Sequence, residues 1–191
     1  RIVGVHLENR DVNDEVLLAS GLDLSDEARR REIDETLKSI DFGPIQRLLE
    51  GLYALTGCSL AIVSAQGEIL AGTRRQSVCA DFYRNGPSTR TACLEHDDEL
   101  LRRAMSRDGS GTIEYRCPNG LRGIIRSLVL DGCLWASIII GQFRYQDEEP
   151  DPLALGEMAR SRGWDEETFL AAVREVPVFD RGKAMGVMTF V

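Results

Sequence analysis

The chain has 191 residues, enough for one domain with appendages and a substantial core. Hydrophobic residues make up 43% and charged residues 28%, and no apolar run reaches the roughly 18–20 residues of a membrane span, so no membrane partner is expected. The net charge is −8 and the basic clusters are short, such as Arg29–Arg31, which argues against direct nucleic-acid contact.

In chain order, Ile2 to Leu7 is β-prone and a polar stretch follows it. Ser25 is expected to cap a helix running to Ile40, with Asp26 and Glu27 in its favoured acidic first turn. Ile33, Leu37 and Ile40 give that helix a narrow apolar stripe on a charged body, the pattern of a linker or dimer-forming helix. Gly43-Pro44 breaks the chain, and Pro44 suits the first turn of a second helix. Ile45, Leu48, Leu49, Leu52 and Leu55 are its expected apolar face, and Gly57 ends it.

Cys58 to Ser64 and Glu68 to Thr73 read as a hairpin about Ala65-Gln66-Gly67. Val78 to Arg84 reads as a short helix, and Ser88 is expected to cap a longer one to Arg107. Thr112 to Arg116, Arg122 to Leu130 and Cys133 to Phe143 form a predicted meander, its turns at Cys117–Gly120 and Asp131-Gly132. Helices over Leu153–Arg162, Asp165–Glu175 and from Arg181 onward close the chain. The expected fold is α+β: a five-stranded antiparallel sheet with inserted and flanking helices. No Gly-x-Gly-x-x-Gly follows a strand and no Walker loop is present.

The chemistry concentrates between Cys79 and Phe143. Cys79, Cys93 and Cys117 sit in three different local structures that folding can bring to one site. Three thiols suit zinc or an iron–sulfur cluster, but their spacing matches no standard finger and no cofactor is required. The alternative is that they are small buried apolar residues. Cys58 and Cys133 lie in predicted strands and read as core. His96, one turn after Cys93, either faces the same site or, followed by Asp97, Asp98 and Glu99, lies on a solvated helix face. Gln142 ends an apolar strand, where it bonds backbone or reaches a ligand. No nucleophile–base pair stands out, so no enzyme activity is expected and no residue is read as catalytic. Five cysteines is an odd number and no secretory signal is seen, which favours reduced thiols in the cytoplasm. The start at Arg1 rather than Met reads as a piece of something longer.

Cys79 with Phe82 and Tyr83, Cys93 with Asp97, Cys117-Pro-Asn-Gly-Leu121, Gly132 and Gly141-Gln142-Phe143 together resemble the PocR sensory domain. Trp164 to Glu167 and Val176-Pro177-Val178 resemble its C-terminal helical part, so the similarity spans Ile40 to Val191. The resemblance implies a PAS/GAF-like ligand-binding domain at 42–191, preceded by a linker or signalling helix region at 1–41. It implies a sensor of small organic compounds such as short diols, working in a bacterial sensor kinase or transcriptional regulator. The output domain would lie in the same longer chain, and a homodimer is expected. The opening Arg-Ile-Val-Gly-Val resembles the tail of a preceding PAS module.

Ligand-binding residues implied in this way are Cys79, Phe82, Cys93, Asp97, Tyr115, Cys117, Gly120, Leu121, Gln142 and Phe143. Cys79, Cys93 and Cys117 are the metal-ligating candidates of the alternative, a metal or iron–sulfur redox sensor. Three positions depart from the family pattern: Arg90 replaces a frequent second cysteine, Ser127 a usual proline, and Ala136 a usual glycine. Losing the extra cysteine weakens a four-thiolate site.

Overall fold

The computed structural model describes residues 24–106, 111–130 and 133–190. The β-prone piece Ile2–Leu7, the Asp131-Gly132 turn and the capping side chain expected at Ser25 lie outside what is described. The chain divides into two compact units, Arg1–Asp41 and Phe42–Val191. In the first, helix α1 spans Leu24–Ser39, with Lys38 in its last turn where the helix dipole favours a cation. Ile33 and Leu37 are buried while Ile40, past the helix end, is exposed, so the expected stripe is not uniform.

The second unit begins with α2, Gly43–Thr56, with Pro44 in its first turn. Gly57 ends it in the left-handed region at φ 72°, donating its N–H to Tyr53 C=O at 2.7 Å. Its buried face is Ile45, Leu49 and Leu52; Leu48 and Leu55, expected there too, are 53% and 84% exposed. The apolar residues of α2 therefore cover two sides of the helix, and only one of them meets the sheet. Gln46 fixes α2 to the sheet edge, exchanging two 2.9 Å hydrogen bonds with the backbone of Gly72.

The sheet follows: β1 Ser59–Ser64, β2 Ile69–Gly72, β3 Thr112–Arg116, β4 Arg122–Leu130 and β5 Cys133–Tyr145. Its order is β2-β1-β5-β4-β3 with every pair antiparallel, an α+β sheet of the PAS/GAF-like type. Between β2 and β3 lie a π-helix, Val78–Tyr83, and α3, Pro87–Ser106. The residues expected to form an ordinary short helix adopt the wider turn: Arg84 N–H donates to Cys79 C=O, five residues back, at 2.9 Å. α3 starts at Pro87, so Ser88 falls within the helix, and the capping side chain expected there lies outside what is described. After β5 come α4 Pro152–Ser161, α5 Glu166–Arg174, β6 Val178–Phe179 and α6 Arg181–Phe190. Asp151 and Asp165 cap α4 and α5 by accepting from Leu153 and Thr168 N–H. β6 is a sixth, parallel strand on the end of β5 that the sequence pattern does not announce; two residues are too few to show alternation.

The two sheet faces carry different cores. Leu60, Ile62, Ile124, Ile138 and Ile140 meet Leu49 and Leu52 of α2 and Met188 of α6. On the other face Ile113, Ile125 and Ile139 meet Leu100 and Ala104 of α3. A third cluster docks α4 and α5 on the π-helix through Phe82, Tyr83, Trp164 and Phe169, with ring centroids 5.1 to 5.9 Å apart and mostly edge-to-face.

Along β5 the side-chain alternation breaks once near its end. Ile138 and Ile140 point to the α2 face, and two-residue alternation would send Gln142 there next. Instead Arg122 pairs with Phe143 and Gly123 with Gly141, leaving Gln142 as a bulge at φ 65°. The parity flips, and Phe143 and Tyr145 return to the α2 face, buried. Phe143→Ala is therefore expected to cost about 3–5 kcal/mol, read as a lower urea midpoint with unchanged slope.

Candidate functional site

A cavity of about 60 Å³ lies between α3, the π-helix and the sheet face opposite α2, closed by the β3–β4 turn. That is several times the roughly 10–15 Å³ one water needs. Cys79 and Arg84 reach it from the π-helix, Cys93, His96 and Asp97 from α3, and Tyr115, Arg122 and Gln142 from the sheet. Cys117, Pro118, Asn119 and Leu121 form the turn above it.

The three thiols expected to meet do share this cavity, as do Asp97, Tyr115, Leu121 and Gln142. Phe82, Gly120 and Phe143 lie off its wall. Phe82 belongs to the aromatic cluster behind the π-helix, and Phe143 to the core on the opposite face. Gly120 holds the turn, at φ 85°, and donates its N–H to Cys117 C=O at 2.9 Å.

The floor is built from absences of side chain. A Cβ on Gly123 would lie 2.3 Å from the Tyr115 ring and hydroxyl, and one on Gly141 would lie 3.1 Å from that hydroxyl. Tyr115 thus lies flat over two glycines of adjacent strands. His96 packs against it at 5.4 Å between ring centroids, and His96 Nε2 is buried without a hydrogen-bond partner among the described residues. His96 is half-buried in the site, not on the solvated face its acidic neighbours suggested.

Polar groups fix the walls to one another. Arg84 pairs with Asp97 at 2.5 Å, joining the π-helix to α3. Asn119 Nδ2 donates to Cys93 Sγ at 3.2 Å, joining the turn to α3. Arg122 forms a forked pair with Glu148. Gln142 Oε1 accepts from Gln76 N–H at 2.6 Å. Gln76 is itself buried; its side chain donates to Gly57 C=O at 2.5 Å, and its own C=O accepts from Cys79 and Ala80 N–H. Arg84, Asn119, Arg122 and Gln76 were not foreseen. The Arg84–Cys79 spacing of five residues has no meaning on an ordinary helix and acquires one only on a π-turn.

Burial pushes the Cys79 thiol up to about 12, with the neighbouring Cys117 adding to the shift, and Cys93 and Cys117 are also raised, chiefly by burial. All three therefore keep their protons at neutral pH in the metal-free protein. Among the described residues no group of three or more His, Cys, Asp or Glu side chains is arranged to hold a metal ion.

A family model described as the sensory domain found in PocR matches residues 38–191, about four fifths of the chain. The chain belongs to the PocR sensory-domain family. No curated protein matches it. The PocR domain match covers every residue that lines the cavity. No helix among the described residues is long and apolar enough to cross a membrane.

Two outcomes are expected. Gly123→Ala would drive Tyr115 off its glycine floor and cost about 1–3 kcal/mol, measured by thermal or urea unfolding. Cys58 and Cys79, both raised by burial from 9.0 to about 12, keep their protons in the folded state where the unfolded chain loses them. Stability is thus complete below about pH 9 and falls as pH rises toward about 12. Urea midpoints at neutral pH and at about pH 11 read this, and Cys79→Ala makes the decline shallower.

Proposed function

We propose that residues 42–191 form a non-enzymatic sensor that takes a small organic molecule into the cavity beside Tyr115, and that residues 1–41 carry the signal onward. The observation that carries this reading is the cavity itself. It is small, walled by uncharged thiols and an aromatic ring, and set with a few polar groups that would orient a guest. The non-enzymatic reading is supported by the thiols being held protonated, with none paired to a base among the described residues. The output domain is proposed to lie elsewhere in a longer bacterial sensor kinase or regulator.

The route outward runs from Gln142 through Gln76 to Gly57, the residue that terminates α2. A ligand that draws Gln142 toward the cavity would weaken its bond to Gln76 and so loosen the cap of α2, which follows α1 directly in the chain. Such a shift needs the two arrangements to bind the ligand differently. A homodimer is part of the same proposal. Leu48 and Leu55 are exposed and seven residues apart on α2, the repeat of a helix–helix seam.

Short alcohols and diols, titrated calorimetrically into the 191-residue chain, test the pocket. Cys93→Phe is expected to fill it, abolishing binding while circular dichroism and melting remain near wild type. Retained affinity in that variant places the ligand elsewhere. Metal analysis of protein purified without oxygen separates this reading from a redox sensor; stoichiometric zinc or iron overturns it. Leu55→Glu, examined by sedimentation, is expected to yield a monomer, and wild-type mass would remove α2 from the interface.

A further inference from the structure

The guanidinium and carboxylate groups on the cavity wall are matched among themselves and with their neighbours. Arg84, Asp97 and Arg122 are the Arg, Lys, Asp and Glu side chains that line it. Arg84 and Asp97 pair with each other at 2.5 Å, and Arg122 pairs with Glu148. Asn119, on the turn, gives its amide nitrogen to Cys93 Sγ at 3.2 Å. A charged guest would have to take a partner from one of these pairs or leave its own charge unmet, and a charge withdrawn from water without a partner is costly.

One polar atom of the wall stands outside this pairing. Among the described residues the buried side-chain polar atoms without a hydrogen-bond partner are His96 Nε2, Arg144 Nε and the Tyr145 hydroxyl oxygen, and of these three residues only His96 lines the cavity. His96 comes from α3, one turn after Cys93, and its ring packs on Tyr115 at 5.4 Å between centroids. Tyr115 is itself seated in the space that Gly123 and Gly141 leave. The unmet nitrogen is thus carried on a ring braced from behind. Buried polar groups without a partner are rare because they are destabilising, so one facing a cavity points to a partner that enters it. Cys79 and Leu121, both buried, line the same space. At about 60 Å³ the cavity is under half of the roughly 150 Å³ that holds benzene in an engineered apolar site, which leaves room for about two to four heavy atoms.

We infer that His96 anchors the ligand of this cavity, and that the ligand is an uncharged two- or three-carbon compound with a single oxygen, bonded to His96 Nε2 with its carbon end against Cys79 and Leu121. This rests on the sensor reading above and names the ligand's chemical class and the residue that selects it. A hydroxyl oxygen suits the site whichever ring nitrogen carries the proton, because it both donates and accepts. A second oxygen meets no further unpartnered buried side-chain atom on this wall among the described residues, so it gives up its hydration without return. An apolar guest of the same size leaves Nε2 unmet.

The test uses propan-1-ol, propane-1,2-diol, 1-chloropropane and propionate as probes, titrated into the 191-residue chain by calorimetry. Propan-1-ol is expected to bind at least about tenfold more tightly than each of the other three. His96→Phe keeps a ring beside Tyr115 without a nitrogen. It is expected to bring propan-1-ol down to the level of 1-chloropropane, with circular dichroism, melting and 1-chloropropane binding near wild type. His96→Gln, which returns a side-chain nitrogen, is expected to restore part of the preference. The ranking of the four probes on the wild-type chain depends on no variant folding. Binding of the diol or of propionate as tight as that of propan-1-ol overturns the ligand class. Equal binding of 1-chloropropane, or an unchanged preference in His96→Phe, overturns the anchoring role. In each of these cases the pocket still binds, and the sensor reading stands. If none of the four binds, the inference falls, and the alcohol and diol panel with Cys93→Phe decides the sensor reading separately.

Discussion

One bulged residue near the end of β5 sets the relation between core and cavity. Gln142 sits at φ 65° in a strand, a conformation that costs a non-glycine residue of the order of 1 kcal/mol or more. In exchange the strand changes parity. Without the bulge, Gln142 would follow Ile138 and Ile140 into the apolar face under α2, and Phe143 and Tyr145 would point to the other side. With it, the two aromatic rings fill the core and the amide reaches both the cavity and Gln76. The hydrogen bond to Gln76 N–H satisfies a backbone donor in a buried segment, which offsets part of the strain.

The cavity persists because its walls are packed from behind. The π-helix is backed by the Phe82–Tyr83–Trp164–Phe169 cluster, and α3 by Leu100 and Ala104 against the sheet. The floor cannot rise, since Gly123 and Gly141 leave the space that Tyr115 occupies. Interiors at this packing density do not readily close a void whose lining is already committed to other contacts. The same packing makes the thiols poor acids, so in the metal-free protein they line the cavity as small, polarizable, uncharged groups.

Much of this was legible in the sequence, and the limits have physical causes. Turns at Ala65-Gln66-Gly67 and Cys117–Gly120 announce themselves because Gly and Pro have few conformational roles. The long strands and α3 follow from periodicity and length. Convergence of Cys79, Cys93 and Cys117 followed from the resemblance to a known domain, not from spacing. Gln142's bulge was hidden because an apolar run surrounds it and a parity flip leaves no mark in such a run. A π-helix uses the residues of an ordinary helix, so the alignment of Arg84 with Cys79 could not be read. Leu48 and Leu55 misled because hydrophobic residues are not all buried. Gln76 lies in a short connection with no periodic signal, and its meaning depends wholly on what folds against it.

Gln76 is the residue through which cavity and helix are mechanically joined. Its N–H, side-chain amide and C=O are each engaged, with Gln142, Gly57 and the first turn of the π-helix respectively. A buried amide so fully used cannot shift toward one partner without losing another, and an unmet buried polar group costs about 1–3 kcal/mol. Displacing Gln142 therefore presents Gln76 with a choice of discrete arrangements, not a smooth adjustment.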